Sequence, residues 1–267
     1  MSAALQAQAG PAGVAPGVRG QVPAAPLLTL RGVHTHIGAY HILHGVDLEV
    51  PEGQVTMLLG RNGAGKTTTL RTIMGLWPAS QGELHFRGQP LRGLATPDIA
   101  QQGIAYVPES MGIFTDLTVQ ENMLLAARSA RHADELDRER LAWIFSLFPA
   151  LKTFWLYPAG KLSGGQKQML AVGRAIVEPR ALILIDEPSK GLAPAIVRNL
   201  ISALRELKAQ RTTVLLVEQN FMMARALGDT VAVMDDGRVV HRGAMAELAE
   251  DQALQRRLLG LSMGEHA

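Results

Sequence analysis

The sequence contains no cysteine, and this absence excludes disulfide scaffolds, thiolate zinc sites and cysteine nucleophiles. It also lacks a run of about 18 consecutive apolar residues, the length that a transmembrane helix requires, so we expect that the chain does not itself span a bilayer. Charge of one sign is not in excess: 26 Lys and Arg face 24 Asp and Glu, for a net charge of +2. That balance argues against a dedicated nucleic-acid binder, and we predict no nucleic-acid partner.

The first 26 residues differ in composition from the rest of the chain. They are rich in Ala, Gly, Pro and Gln and have neither a basic start nor a continuous apolar stretch. We therefore predict a disordered tail over residues 1–26 rather than a secretory signal. Hydrophobic residues make up 47% of the whole chain, which is enough to bury a core of ordinary size. We expect residues 27–267 to form the folded domain.

Short apolar runs alternate with segments of helical period along this domain, which is typical of an α/β fold with a mostly parallel sheet. Residues 55–59, 181–185 and 213–217 are apolar except for Thr56 and Thr213, as expected for strands that are buried on both faces. Period-two patterning before the first of these runs predicts an antiparallel β flap. From about residue 115 to residue 162 the pattern predicts helices and no strand, which indicates an inserted helical subdomain.

A glycine-rich loop follows the first of these apolar strands and precedes a helical segment. It reads GRNGAGKT and matches the pattern G-x-x-x-x-G-K-[ST], whose backbone N–H groups surround a phosphate. Lys66 would place its charge between the β- and γ-phosphates of a nucleotide, and the Thr67 hydroxyl would bind Mg²⁺. The alternative is a glycine-rich turn that binds nothing. The predicted phosphate-binding residues are Gly60, Arg61, Asn62, Gly63, Ala64, Gly65, Lys66, Thr67 and Thr68.

Two adjacent carboxylates end the apolar run that begins at residue 181. Asp186 and Glu187 would therefore lie at the carboxyl edge of the sheet, where ligands of open α/β sheets bind. Because side chains alternate along a strand, the two carboxylates point differently and can have different roles. We predict that Asp186 holds Mg²⁺, directly or through water, and that Glu187 orients and deprotonates an attacking water. The alternative is a strand end with solvated acids, which the nearby phosphate loop disfavours.

The segment LSGGQ precedes another helical run and places its glycines at a helix N-terminus. Ser163 and Gln166 fit a capping box, in which each side chain bonds the backbone N–H of the other. The functional alternative is a second anion site made of the Ser163 hydroxyl, the N–H groups of Gly164 and Gly165, and the helix dipole. Both interpretations stay open from the residues alone.

The phosphate loop, LSGGQ and ILIDEP, in this order, resemble the ATP-binding subunits of ABC transporters over about residues 28–261. The resemblance implies a P-loop NTPase core with a β flap and a helical subdomain at about residues 110–162, and it implies ATP and Mg²⁺ as ligands. It also implies that Ser163, Gly164, Gly165 and Gln166 cover the nucleotide of a second chain. Two chains, each with one copy of every motif, would then enclose two ATP molecules in a head-to-tail dimer.

Three positions depart from the general pattern of that family. Glu109 stands where a glutamine is usual, in the loop that senses the γ-phosphate, and Gln219 stands where a histidine is usual. With Glu187, these two are our candidate catalytic residues, and Glu109 joins Thr67 and Asp186 as a candidate metal ligand. The aromatic residue that stacks on adenine aligns with Ile37. Either Ile37 makes a weaker apolar contact, or Tyr40, three residues later, reaches the base.

VPE, EPSxGLAP and VEQN together resemble the second ATPase subunit of branched-chain amino-acid importers. This implies an ATPase on the cytoplasmic face of the cell membrane that works with permease subunits, a sister ATPase or a second copy of itself, and a substrate-binding protein. Urea, lipopolysaccharide or an exported compound are alternative cargoes. A soluble ABC ATPase that acts outside transport is a further alternative, but Lys66 and Ser163 are too close in sequence to enclose the long coiled coil of its chromosome-organising members.

Overall fold

The structure is a computed structural model and describes residues 26–260. The predicted tail lies outside the described residues except for Pro26, which begins the first strand. No helix within residues 26–260 combines the length and the apolar character needed to cross a membrane.

Ten strands and ten α-helices make up the described part of the chain. The strands are β1 (Pro26–Ile37), β2 (Tyr40–Pro51), β3 (Val55–Gly60), β4 (Ala79–Phe86), β5 (Gln89–Pro90), β6 (Ile104–Val107), β7 (Leu182–Asp186), β8 (Thr213–Val217), β9 (Thr230–Asp235) and β10 (Arg238–Ala244). The α-helices are α1 (Lys66–Ile73), α2 (Thr96–Gln101), α3 (Val119–Ala126), α4 (Arg138–Leu147), α5 (Pro149–Thr153), α6 (Gly164–Ala175), α7 (Pro194–Ala209), α8 (Phe221–Leu227), α9 (Met245–Glu250) and α10 (Gln252–Leu259).

The central sheet has six strands in the order β10-β9-β3-β8-β7-β6, and all of its pairs except β10 with β9 are parallel. Every residue of β3, β7 and β8 is buried. Met57 and Leu59 of β3 belong to the apolar core on the helical face of the sheet, whereas Leu58 belongs to the core under the flap. Two covered faces explain the continuous apolar runs, and the predicted mostly parallel sheet is confirmed.

The flap is a four-stranded antiparallel sheet in the order β2-β1-β4-β5. Its inner face packs on the core, and the alternation of buried and exposed residues along β1 and β2 produces the period-two pattern that predicted these two strands. The sequence analysis identified neither β4 nor β5. β5 has only two residues, which is too short for any alternation to be recognised.

The segment from residue 115 to residue 162 contains α3, α4 and α5, two 3-10 helices (Ala133–Glu135 and Ala159–Lys161) and no strand, only one isolated bridge. The predicted helical content is therefore confirmed. A capping box of Thr118 and Glu121 starts α3. The subdomain packs closely on α6, because a Cβ at Gly173 would lie 3.1 Å from a methyl carbon of Leu151. The exact bounds of the subdomain stay a prediction.

Candidate functional site

The phosphate loop lies between the end of β3 and the start of α1, as the motif predicts. At Gly60 the backbone has φ of +145°, and a Cβ would lie 2.3 Å from the carbonyl oxygen of Met234, so only glycine fits. Gly65 is the N-cap of α1 with φ of +100°, in the left-handed region. The loop therefore turns sharply enough to direct its N–H groups and the N-terminus of α1 towards one point, which is the geometry of an anion site.

The side chain of Lys66 is 4% exposed, and its ammonium group folds back against the phosphate loop. Nζ donates to the carbonyl oxygens of Gly60, at 2.8 Å, and Arg61, at 3.1 Å, and lies 3.5 Å from Oε1 of Glu187. A buried cation is stable here only because these oxygens surround it. The charge is thus available at the mouth of the loop, where a phosphate group would bind.

The candidate magnesium ligands on α1 and β7 lie in contact. The Thr67 hydroxyl donates to Oδ1 of Asp186 at 2.9 Å, and the Tyr106 hydroxyl donates to Oδ2 at 3.3 Å. Burial raises the pKa of Asp186 above its ordinary value, while these two hydrogen bonds oppose the increase. Burial and the charge of Asp186 also raise the pKa of Tyr106 to about 12, so the phenol stays protonated.

This donor set fits Mg²⁺, which prefers hard oxygen ligands. Within residues 26–260 no group of three or more His, Cys, Asp or Glu side chains is arranged to hold a metal by itself. Such a result is expected for Mg²⁺, because proteins usually hold this ion with one or two side chains and the phosphates of the substrate. Thr67 and Asp186 could supply that protein share.

Glu187 follows Asp186 but has a left-handed backbone, with φ of +45°. Its N–H donates to the carbonyl oxygen of Val217, at the end of β8, at 2.9 Å. A non-glycine residue in this region is strained by about 1–3 kcal/mol, and such strain is concentrated at functional sites. Because of this turn, the Glu187 carboxylate points in a different direction from that of Asp186. Glu187 and Lys66 line the same cavity.

The structure places Gln219 beside Glu187, the candidate base, a contact that the sequence analysis did not predict. Its Nε2 donates to Oε1 of Glu187 and to Oδ1 of Asn62, both at 2.7 Å. The amide therefore connects the phosphate loop with Glu187. Because Gln219 is neutral, the hydrogen bond that it could offer a phosphate would be roughly half as strong as one from a charged donor.

Glu218 is a residue that the sequence analysis missed. It is 2% exposed, and its carboxylate accepts hydrogen bonds from the backbone N–H groups of Ser189 at 2.9 Å, Gln219 at 3.0 Å and Asn220 at 3.0 Å. Burial raises its pKa, and these hydrogen bonds oppose the increase. Glu218 thus joins the loop after Glu187 to the loop that carries Gln219. The sequence signal is a carboxylate placed directly after the apolar run VLLV of β8.

Glu109 lines the cavity next to the phosphate loop but is engaged by a lysine. Lys190 Nζ donates to Oε1 of Glu109 at 2.6 Å. No hydrogen bond is found between Glu109 and either Thr67 or Asp186 in the described residues, although the charge of Glu109 contributes to the raised pKa of Asp186. Its roles as a metal ligand and as a catalytic residue stay predictions. The sequence analysis did not identify Lys190.

The LSGGQ segment forms the predicted capping box. Ser163 Oγ accepts from the N–H of Gln166 at 3.3 Å, and Gln166 Oε1 accepts from the N–H of Ser163 at 2.9 Å. A Cβ at Gly165 would lie 2.7 Å from a methyl carbon of Ile196 on α7, whereas one at Gly164 would meet nothing within 4 Å. Close packing against Ile196 therefore requires glycine at position 165, whereas the backbone of Gly164 stays accessible. Within residues 26–260, the cavity at the phosphate loop has no lining residue from this segment.

Ile37 and Tyr40 form the last cross-strand pair of the β1–β2 hairpin. Directly paired side chains lie on the same face of a sheet, so the two alternatives for the adenine contact occupy one surface. Tyr40 is 76% exposed, and Ile37 is partly buried. The cavity at the phosphate loop is instead lined by Ile42, which the sequence analysis did not consider.

Comparison with known proteins gives a consistent result. The ABC transporter family matches residues 43–190. The high-affinity branched-chain amino acid transport ATP-binding protein BraG of Pseudomonas aeruginosa is 38% identical over 88% of this chain and 100% of its own length. The probable branched-chain amino acid transport ATP-binding protein LivF of Archaeoglobus fulgidus is 33% identical over 83% of this chain and 93% of its own.

A solved structure, described as the dimeric structure of a bacterial ABC transporter cassette, is 25% identical with a TM-score of 0.73, covering 82% of this chain and 98% of the other. This chain and that cassette share the same fold. The family match covers more than half of the chain, and the match to BraG covers 88% of it. The chain therefore belongs to the ABC transporter family and is one of its ATP-binding ATPases.

Proposed function

We propose that this chain is the ATP-hydrolysing subunit of an importer for branched-chain amino acids. The observation that carries the proposal is the similarity to BraG along the full length of that relative, at 38% identity. The identity to a glutamate transport ATP-binding protein of Corynebacterium glutamicum is lower, at 32% over 80% of this chain. Because an ATPase subunit does not contact the cargo, the cargo is inferred from the relatives and the reaction from the site.

The arrangement of the site supports ATP hydrolysis by in-line attack of water. Lys66 and the loop N–H groups would bind the β- and γ-phosphates, and Thr67 and Asp186 would hold Mg²⁺, which neutralises charge on the phosphate oxygens. Glu187 would take the proton of the attacking water. Gln219 holds the carboxylate of Glu187 through a 2.7 Å hydrogen bond, so it would orient the base.

The position of LSGGQ supports a dimer. Ser163 and Gly164 are exposed at the N-terminus of α6, away from the lining of their own phosphate-loop cavity. An exposed anion site that is separate from the cavity can serve the nucleotide of a partner chain. The partner would be a sister ATPase or a second copy of this chain, in a head-to-tail arrangement.

A groove on another face of the chain suits a permease subunit. It has a volume of about 780 Å³ and is lined by residues of α1, β6 and α6, including Tyr106 and Pro108, which precede Glu109. Binding of a permease segment in this groove would shift Pro108, and the shift would move the neighbouring Glu109. The chain would then act at the cytoplasmic face of the membrane, with a substrate-binding protein that delivers the cargo.

Reconstitution tests this function. The chain is combined in vesicles with two candidate permeases, the candidate sister ATPase and the candidate binding protein, and ATP hydrolysis is measured with leucine, isoleucine or valine. We expect stimulation by these three amino acids and none by urea or by glutamate. If only another cargo stimulates hydrolysis, the assigned substrate is refuted, but the conclusion that the chain is a transport ATPase stands. A chain that hydrolyses ATP but joins no permease would support the soluble alternative.

A further inference from the structure

The phosphate-loop cavity contains a second lysine that none of the motifs accounts for. Lys190 lies between β7 and α7, and its Nζ is 2.6 Å from Oε1 of Glu109 and 3.5 Å from Oε2 of Glu187. It lines the same 370 Å³ cavity as Lys66 and the phosphate-loop residues around it. The distances make Glu109 its main partner. Glu187 is already held by Gln219, whose Nε2 is 2.7 Å from Oε1.

The charged side chains that line this cavity balance only because Lys190 is present. The ionisable side chains that line it are two lysines, Lys66 and Lys190, and two glutamates, Glu109 and Glu187. The buried carboxylate of Asp186 lies behind them, bound to Thr67. A triphosphate is strongly anionic, so an uncompensated carboxylate at position 109 would repel it. Lys190 is 57% exposed, and a lysine in contact with water is a cation at neutral pH.

We propose that Glu109 and Lys190 act as one neutral pair at the mouth of the phosphate loop, and that Lys190 is a positioning residue that permits a nucleoside triphosphate to bind beside a glutamate. The inference rests on the proposed ATP site and adds a determinant of nucleotide affinity to it. Lys190 acts through Glu109, because it holds the Glu109 carboxylate and cancels its charge.

A double-mutant cycle tests the pair. The affinity of the purified full chain for Mg²⁺ and a non-hydrolysable ATP analogue is measured for Lys190→Met, Glu109→Gln and the double variant. We expect Lys190→Met to weaken binding about tenfold and Glu109→Gln, which removes the repelling carboxylate, to strengthen it. The double variant should return to within about twofold of the unchanged chain, since both charges are then absent.

Two further measurements separate this role from a purely structural one. Both side chains of the pair are partly exposed, so the effect of Lys190→Met should shrink as salt is raised. In steady-state hydrolysis, the same variant should raise KM for ATP and leave kcat nearly unchanged. Lys152→Met is the matched control: this lysine is exposed on α5 and is absent from the cavity lining, so its loss changes the net charge equally. We expect it to leave the affinity unchanged.

These experiments distinguish failure of the Glu109–Lys190 pair from failure of the proposed ATP site. If Lys190→Met binds the analogue as tightly as the unchanged chain, while Lys66→Ala does not bind it, the pair is refuted and the ATP site stands. If Lys190→Met weakens binding but Glu109→Gln does not restore it, Lys190 contacts the phosphates directly, and the neutral pair is again refuted. If Lys66→Ala also binds normally, the proposed function itself fails.

Discussion

Replacement of Glu187 by Gln is the most direct test of the hydrolytic mechanism, because it removes the proton acceptor and keeps the shape of the side chain. The variant can still accept a hydrogen bond from Gln219 but cannot take a proton from water. Loss of a general base reduces turnover by about 10² to 10⁴. That range corresponds to about 2.7 to 5.5 kcal/mol of activation free energy.

The cost in folding stability should be smaller than this kinetic effect. Glu187 is 8% exposed and lies 3.5 Å from both Lys66 Nζ and Lys190 Nζ. Its neutralisation does not leave either lysine without an oxygen, because Lys66 keeps two carbonyl groups and Lys190 keeps Glu109. We expect about 1.5–3 kcal/mol of destabilisation, the order of one hydrogen bond to a charged group. Natural domains are stable by about 5–15 kcal/mol, so the variant stays folded and its lost turnover is chemical.

The assay measures three quantities on the same protein: phosphate release, binding of a fluorescent ATP analogue, and the mass of the particle in solution with ATP. We expect turnover to fall, affinity to be kept, and a closed dimer to accumulate. Glu178→Gln is the matched control, because Glu178 is also a poorly exposed, ion-paired glutamate, but it pairs with Arg180 and Ser129 away from the phosphate loop. Turnover of Glu187→Gln within tenfold of the unchanged chain would refute the assignment of the base.

Three further predictions follow from the site. Lys66→Ala should weaken ATP binding by tenfold or more, since it removes a charge at the phosphates, and normal affinity in a binding titration would contradict the phosphate loop. Gly165→Ala should destabilise the fold by about 1–3 kcal/mol in urea unfolding, because the added methyl meets Ile196, whereas Gly164→Ala, which meets nothing, should not. Asp186→Asn should abolish Mg²⁺-dependent hydrolysis and stabilise the nucleotide-free chain. Burial raises the pKa of Asp186, so the folded state holds its proton above the ordinary pKa of 3.8, and stability falls as pH rises through the raised value. In thermal melts over the same pH range, the melting temperature of the Asp186→Asn variant should not show this fall. If the variant and the unchanged chain show the same dependence of melting temperature on pH, the explanation is contradicted.

The sequence alone determined the features whose chemistry is local. The phosphate loop, the carboxylate pair at the end of β7 and the capping box at Ser163 each lie within one short segment. Apolar runs identified β3, β7 and β8 because both faces of these strands are covered. Short strands such as β5 have too few residues for a pattern, so they were missed.

The tertiary structure decided which distant segments meet. The order of the sheet sets β3 beside β8 and β8 beside β7, and this order brings Gln219, Glu187 and Asn62 into one hydrogen-bonded group. The Glu109–Lys190 pair depends in the same way on the adjacency of β6 and β7. Strand order is fixed by the packing of the whole core and is not encoded in any short segment, so spacing in the sequence could name these residues individually but could not predict their contacts.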